Sequence, residues 1–383
     1  MIKKIQTLLL AMVILPLSAS FAGAPVVPNP AAPQIAAKSY ILVDFDSGIP
    51  VVEGNADERL PPASITKLMT SYVLFNELAS GNVKLEDEVL ISERAWRMVG
   101  SRSFIEVNTR VPVEALLRGM IVQSGNDAAV ALAEHVAGSE EVFAQMMNQY
   151  AQKLGMHNTN YTNSTGLPDP DLYTTSRDIA TLAAAMIRNF PEYYRWYSEK
   201  EYTYNNITQH NRNRLLWRDE TVDGLKTGHT EAAGYCLAAS AKRGDMRLIS
   251  VVLGTRSENV RAQETSKLLN YGFRFFESHR LYPAGHVVTQ NRVWKGSEKE
   301  LAIGVQQPLH VLVPRGRYEN LVATSHLTTP IVAPVTAGSA LGEVEIRLNN
   351  EVIATQTLVA MQDVPAGSLW RRLVDALLML IWG

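Results

Sequence analysis

Strand-forming runs stand at both ends of the central region of this chain, and helical runs stand between them. Within residues 39–53, two strand-like runs flank Asp46-Ser47-Gly48, a turn signal, and read as a hairpin. Residues 222–230, 234–242 and 246–254 are three further strand runs, with Arg243-Gly244-Asp245 as the tight turn between the last two. Residues 64–79 and 113–153 have helical periodicity: Leu116, Leu117, Met120 and Ile121 share a face, and Val130, Ala131, Ala133 and Val136 continue the pattern. Residues 178–190 form another helix, with Thr175 or Ser176 as its cap and Asp178 in its first turn, and residues 257–276 a long closing one. The N-terminal hairpin then pairs with the late strands, and the helices cluster against that sheet. This order predicts an α+β domain built on an antiparallel sheet with a helical cluster.

Composition narrows the function. Hydrophobic residues make up 46% and charged residues 19%, enough for a packed core. A formal net charge of −2 leaves no electrostatic footprint for nucleic acid. Cys236 is the only cysteine, so no disulfide forms within the chain, and the histidines lack metal-ligand spacing. No metal and no cofactor are expected. Cys236 itself reads as a small buried hydrophobe.

Both ends carry membrane-related signals. Lys3 and Lys4, an apolar stretch from Leu8 to Leu17, and Ser20-Phe21-Ala22 make residues 1–22 a secretory signal peptide. Residues 23–35, rich in Ala and Pro, read as a flexible mature N-terminus. Residues 368–383 are too few for a span of ~20. On a helix, Leu369, Trp370, Leu373, Val374, Leu377, Leu378, Leu380 and Ile381 fill one half, with Arg371, Arg372 and Asp375 opposite. That pattern suits a helix lying in a membrane interface, with a terminal helix docked on the protein's own core as the alternative. The two signals together predict a secreted protein that lies peripherally on a membrane surface.

Tyr282-Pro283-Ala284-Gly285 reads as a break. Residues 286–363 then hold short alternating runs punctuated by Pro, Gly and Asn, the signature of a small all-β domain. The expected organisation is a catalytic domain over 36–282, a β-rich domain over 286–363 and the anchor helix over 368–383.

Three motifs carry chemistry. Ser64 and Lys67 sit one helical turn apart, so a lysine stripped of its proton by burial could activate the hydroxyl. The helix start offers free backbone N–H groups to an oxyanion. Taken alone, this pair more often marks an ordinary helix start with a solvated lysine. Ser124-Gly125-Asn126 falls between two helices, where a glycine lets the chain turn sharply and present two short polar side chains; a plain connector would look the same. Lys226-Thr227-Gly228-His229-Thr230 lies on a strand, with Lys226, Gly228 and Thr230 on one side and Thr227 and His229 on the other. Gly228 removes a side chain where a backbone or ligand must approach. An exposed edge strand is the plainer reading.

Ser-x-x-Lys, Ser-x-Asn and Lys-Thr-Gly in this order are the signature set of penicillin-recognising serine enzymes. The chain resembles the low-molecular-mass penicillin-binding proteins of the D-alanyl-D-alanine carboxypeptidase type, the penicillin-binding protein 5 and 6 group. Residues 62–67, 222–230 and 271–276 also look like that group. The resemblance implies a transpeptidase-like domain, a β-rich stalk and an amphipathic anchor. It implies that Ser64 attacks the carbonyl between the terminal D-alanines of a peptidoglycan pentapeptide, with Lys67 as general base, and that β-lactam antibiotics acylate the same serine. Ser124, Asn126 and Lys226 would relay protons and hold the substrate amide. Thr227, Gly228 and His229 would line the leaving-group side, and the N–H groups of Ser64 and His229 would form the oxyanion hole. Arg261 matches an arginine that binds the terminal carboxylate, whereas Arg212 reads as a solvated loop residue.

Three other functions compete. A class A β-lactamase needs a Glu-x-x-Leu-Asn loop before the Lys-Thr-Gly strand; residues 165–173 stand there instead and look carboxypeptidase-like. A D,D-endopeptidase would differ only in cleft shape. A catalytically silent wall-binding protein would not need Ser64, Lys67, Ser124, Asn126 and Lys226 intact.

Overall fold

The computed structural model describes residues 31–382; the leader assigned to residues 1–22 lies outside the described residues. Five strands build the central sheet: β1 (Ser39–Asp44), β2 (Pro50–Gly54), β3 (Val222–Thr230), β4 (Gly234–Arg243) and β5 (Met246–Thr255). Their order is β2-β1-β5-β4-β3, antiparallel throughout, with Ile41 opposite Val251 and Gly228 opposite Cys236. The N-terminal hairpin therefore joins the late strands, as their patterns predict.

Both faces of this sheet are covered, which is why β4 and β5 read as nearly continuous apolar runs. One face packs on a helical cluster: α1 (Lys67–Ala79), α2 (Val113–Val122), α3 (Asn126–Ala137), α4 (Glu140–Lys153) and α5 (Ser176–Asn189). Leu68, Met69, Phe75, Met120, Ile179 and Val251 belong to that core. The other face is covered by α6 (Glu258–Phe275), through Leu42, Leu237, Leu248, Leu268 and Phe273. Thr175, Ser139 and Ser257 cap α5, α4 and α6 by accepting N–H bonds from Asp178, Val142 and Val260.

The chain leaves α6 directly into a strand, β6 (Phe276–Tyr282), a stretch to which the sequence pattern gives no element beyond the helix end at residue 276. It pairs with β9 (Leu309–Pro314) and so lies against the β-rich unit. The rest of that unit is β7 (Val287–Trp294), β8 (Glu300–Gly304), β10 (Leu321–Leu327), β11 (Ile331–Val332), β12 (Ala340–Leu348) and β13 (Glu351–Ala360). These form one sheet in the order β10-β12-β13-β8-β7-β11. Val293, Leu301, Ile303, Val311, Val344 and Ile346 make its own small core.

The last element, α7 (Leu369–Trp382), docks by its polar face. Asp375 is buried, accepting from Arg292 Nη2 at 3.2 Å and from the backbone N–H of Lys295 at 2.6 Å. Arg371 Nη1 donates to the carbonyl of Ser297 at 2.7 Å. Leu369, Trp370, Leu373, Leu377, Leu380 and Ile381 are left exposed. No described helix is long and apolar enough to cross a membrane.

Candidate active site

Pro61 and Pro62 stop the chain, and residues Ala63–Thr66 form a single 3-10 turn leading into α1. Ser64 sits on that turn and Lys67 opens the helix. The turn is pinned from two sides by glycines. A Cβ on Gly228 of β3 would lie 2.9 Å from the carbonyl oxygen of Pro62, and one on Gly166 only 1.9 Å from that of Ala63. Gly166 also has a φ of +83°, so it meets both requirements of its place.

Lys67 is buried, and its Nζ reaches Ser64 Oγ at 3.2 Å, Asn126 Oδ1 at 2.7 Å and the carbonyl oxygen of Thr165 at 2.7 Å. Burial pulls its pKa down to about 7; Asp127 and Glu140 work against that shift, while Arg212 adds to it. Lys226, also buried, is pushed well below its usual value by desolvation and by the positive charges of Lys67, Arg212 and Arg261. Two buried lysines converge here, and the charge of Lys67 disfavours the charged form of Lys226.

The segment between α2 and α3 corrects one expectation. The left-handed residue is Ser124, with φ +70°, not Gly125. Gly125 serves close approach instead: a Cβ there would collide with Ser103 Oγ. The Ser124 hydroxyl is buried and has no hydrogen-bond partner within the protein. Asn126 is fixed at both ends of its amide, accepting from Lys67 and donating through Nδ2 to the carbonyl of Val99 at 2.6 Å. Next to it, buried Asp127 accepts the N–H groups of Ser103 and Phe104 at 2.7 and 3.0 Å, and so secures the wall of the cleft.

Ser64, Ser124, Thr227, Gly228, His229 and Arg261 all line one small polar cavity of about 160 Å³. Lys226 is absent from that lining. β3 is the edge strand of the sheet, so its free side faces this opening. The His229 ring stacks on Tyr235 at 3.9 Å. Arg261 is buried and donates to the carbonyls of Gly228 and Arg212, both at 3.4 Å, and to Glu258 at 3.2 Å. Desolvation lowers its pKa from the ordinary arginine range.

The cavity also takes in Ser101, Arg212, Tyr235 and Glu258, which no motif singles out. Arg212 is exposed, as a loop arginine would be, yet it borders the same opening as Ser64. The carbonyl of Thr165 could not be found from residue types, since any residue supplies one. Cys236, paired with Gly228, is buried with its thiol pushed up to about 11, which suits packing rather than reactivity.

An antiparallel sheet between helical layers, with the three motifs meeting at one cleft, defines the class of penicillin-recognising serine hydrolases. Comparison with known proteins narrows this further. The D-alanyl-D-alanine carboxypeptidase family matches residues 27–257, and the C-terminal domain of penicillin-binding protein 5 matches residues 276–366. The chain is 45% identical over 357 residues to the D-alanyl-D-alanine carboxypeptidase DacC of Escherichia coli strain K12, covering 91% of this chain and 89% of that protein. Penicillin binding protein 5 from Haemophilus influenzae superposes with a TM-score of 0.86 at 42% identity, over 88% of this chain and 99% of the other. Penicillin-binding protein D2 from Listeria monocytogenes, solved in its ampicillin-bound form, has a TM-score of 0.59 at 29% identity, over 64% of this chain and 100% of the other. The chain belongs to the D-alanyl-D-alanine carboxypeptidase family of serine-type peptidases.

Proposed function

We propose that this chain removes the terminal D-alanine from peptidoglycan pentapeptide stems through an acyl-enzyme on Ser64. The observation that carries the reading is the surroundings of Lys67 Nζ. A neutral lysine amine has two N–H bonds to donate and one lone pair. Asn126 Oδ1 and the Thr165 carbonyl are both acceptors at 2.7 Å, so they take the two N–H groups. The lone pair is then left for the proton of Ser64, 3.2 Å away. A pKa of about 7 leaves a large neutral fraction at neutral pH.

Ser64 Oγ attacks the carbonyl of the penultimate D-alanine while Lys67 accepts its proton. The backbone N–H groups of Ser64 and His229 receive the oxyanion. The free hydroxyl of Ser124, buried in the cleft wall, hands its proton to the departing amine and takes up the one that Lys67 holds, which leaves the lysine neutral again. Thr227 and Arg261 hold the terminal carboxylate, Arg212 adds positive charge at the rim, and Lys226 serves the proton relay with Ser124 and Asn126. D-alanine leaves, water enters, and Lys67 activates it against the ester. A β-lactam presents an amide, here strained by its ring, and a carboxylate in the same places, and acylates Ser64.

The exposed stripe of α7 lies in the membrane interface, while its polar face stays on the β-rich unit. With the leader at residues 1–22 removed, the enzyme works on the periplasmic face of the inner membrane. The test is D-alanine release from a peptide ending in Lys-D-Ala-D-Ala, by the mature protein and by Ser64→Ala. Release by the first alone supports the reading; release by both, or labelling of Ser64→Ala by a penicillin, overturns it.

A further inference from the structure

The Thr165 carbonyl does its work only if something holds it. Its own segment is loop, not helix or strand. Asn163 Oδ1 accepts from the backbone N–H groups of Thr165 and Gly166 at 3.2 and 2.7 Å, which sets the local curl. That curl must still be attached to the rest of the domain.

The attachment is Glu140, the first residue of α4. Its side chain is buried. Oε1 accepts both the backbone N–H and the hydroxyl of Ser164, at 3.0 and 2.7 Å. Oε2 accepts from Arg94 Nη2 at 2.8 Å. On its other side Ser164 offers its carbonyl to Thr70 Oγ1 at 2.7 Å, and Thr165 offers its carbonyl to Lys67 at 2.7 Å. Lys67 and Thr70 lie one turn apart on α1. Residues 164 and 165 thus form a strap between the reactive face of α1 and the carboxylate of Glu140.

We propose that Glu140 is a positioning residue for the reaction: through Ser164 it sets where the Thr165 carbonyl meets Lys67 Nζ, and so where the lysine lone pair points. Its charge has a second effect. Around Lys67 stand Asp127 from α3, Glu140 from α4, Lys226 from β3 and Arg212 from the segment before β3. The two carboxylates favour the protonated lysine and Arg212 opposes it. Glu140 therefore holds Lys67 in place and also keeps its pKa from falling further.

These two effects separate by substitution. The inference rests on Ser64 and Lys67 acting as described above, so Ser64→Ala is run alongside with a fluorescent penicillin. Labelling of Ser64→Ala would refute that underlying mechanism, whereas its absence leaves the Glu140 test standing by itself. Glu140→Gln keeps an acceptor for Ser164 and loses the charge. Its acylation rate at the high-pH plateau stays within about threefold of the parent, and the acidic limb of its pH profile moves to lower pH. Glu140→Ala loses the acceptor as well, and its plateau rate falls about 10- to 100-fold through misplacement of the base, while the acidic limb again moves down. A folded Glu140→Ala protein that acylates at the parental rate overturns the proposal. So does a Glu140→Gln protein whose limb stays put or moves up, and this second outcome remains readable if the alanine variant fails to fold.

Discussion

Lys67 Nζ lies 2.7 Å from the carbonyl oxygen of Thr165, a residue 98 positions further along the chain. The base is held by a loop backbone, by the amide of Asn126 on α3 and by its own turn on α1. Its direction is a property of the whole helical cluster. The motif spacing alone brings Ser64 and Lys67 together, and the loop determines which way the amine faces.

Acylation should follow the neutral form of Lys67. The pKa is depressed to about 7, so the active form is lost as pH falls through that value. The second-order rate of penicillin labelling should rise from pH 5 and level off above 8. Arg212→Gln removes a cation that favours the neutral amine, so its limb should move to higher pH. A parental profile that is flat through pH 7 would contradict the role of Lys67.

Asn126→Ala removes one of the two acceptors of Lys67 and the bond to the Val99 carbonyl. Acylation should fall about 100-fold through loss of orientation. Stability should drop by only about 1–2 kcal/mol, measurable in urea. A variant that keeps full acylation would remove Asn126 from the machinery.

Gly166→Ala places a Cβ 1.9 Å from the Ala63 carbonyl at a residue with φ +83°. Strain and overlap together should cost about 2–4 kcal/mol. Penicillin labelling should be lost with it, because the displaced neighbour is the turn that carries Ser64. Calorimetry and labelling on one sample would check both.

Arg261→Ala should raise KM for a D-Ala-D-Ala peptide about 10-fold or more, with a smaller change in kcat. A substrate whose terminal carboxylate is replaced by an amide should be nearly insensitive to the change. Equal loss on both substrates would assign Arg261 to packing against Gly228 and Glu258 instead.

Removing residues 368–383 should leave kcat/KM on a soluble peptide within about twofold, since α7 is distant from the chemistry in the chain. Sedimentation with phospholipid vesicles should be lost. A truncated protein that still pellets would place the membrane contact elsewhere.

Much of this was readable in advance, for identifiable reasons. The hairpin over residues 39–53 and the strands after 222 have the alternation and turns that specify strands, and their meeting in one sheet follows from burial. Ser64, Lys67, Asn126 and Thr227 were visible because their chemistry resides in side chains. Thr165 was not, because it acts through a carbonyl that every residue carries. Ser124 misled in another way: glycine is the usual bearer of a left-handed turn, and here the serine bears it while Gly125 makes room for Ser103. The closing helix reads to residue 276 and no clear alternation marks 277–282 as a strand, so the pairing of Phe276–Tyr282 with Leu309–Pro314 appears only in three dimensions. Asp375 looked like part of a solvated face, and its burial depended on partners at Arg292 and Lys295 some 80 residues earlier.

That last contact changes what kind of attachment the C-terminal helix makes. A helix trailing from a flexible linker would be a rope, and the enzyme would swing at any height its slack allowed. A helix clamped through Asp375 and Arg371 to the β-rich unit is a foot. If the exposed face of the helix rests in a bilayer surface, as proposed above, this clamp would fix how far from that surface the unit holds the cleft. Stem peptides would then be trimmed in a layer of the wall chosen by the height of the stalk, and lengthening that stalk would move the layer.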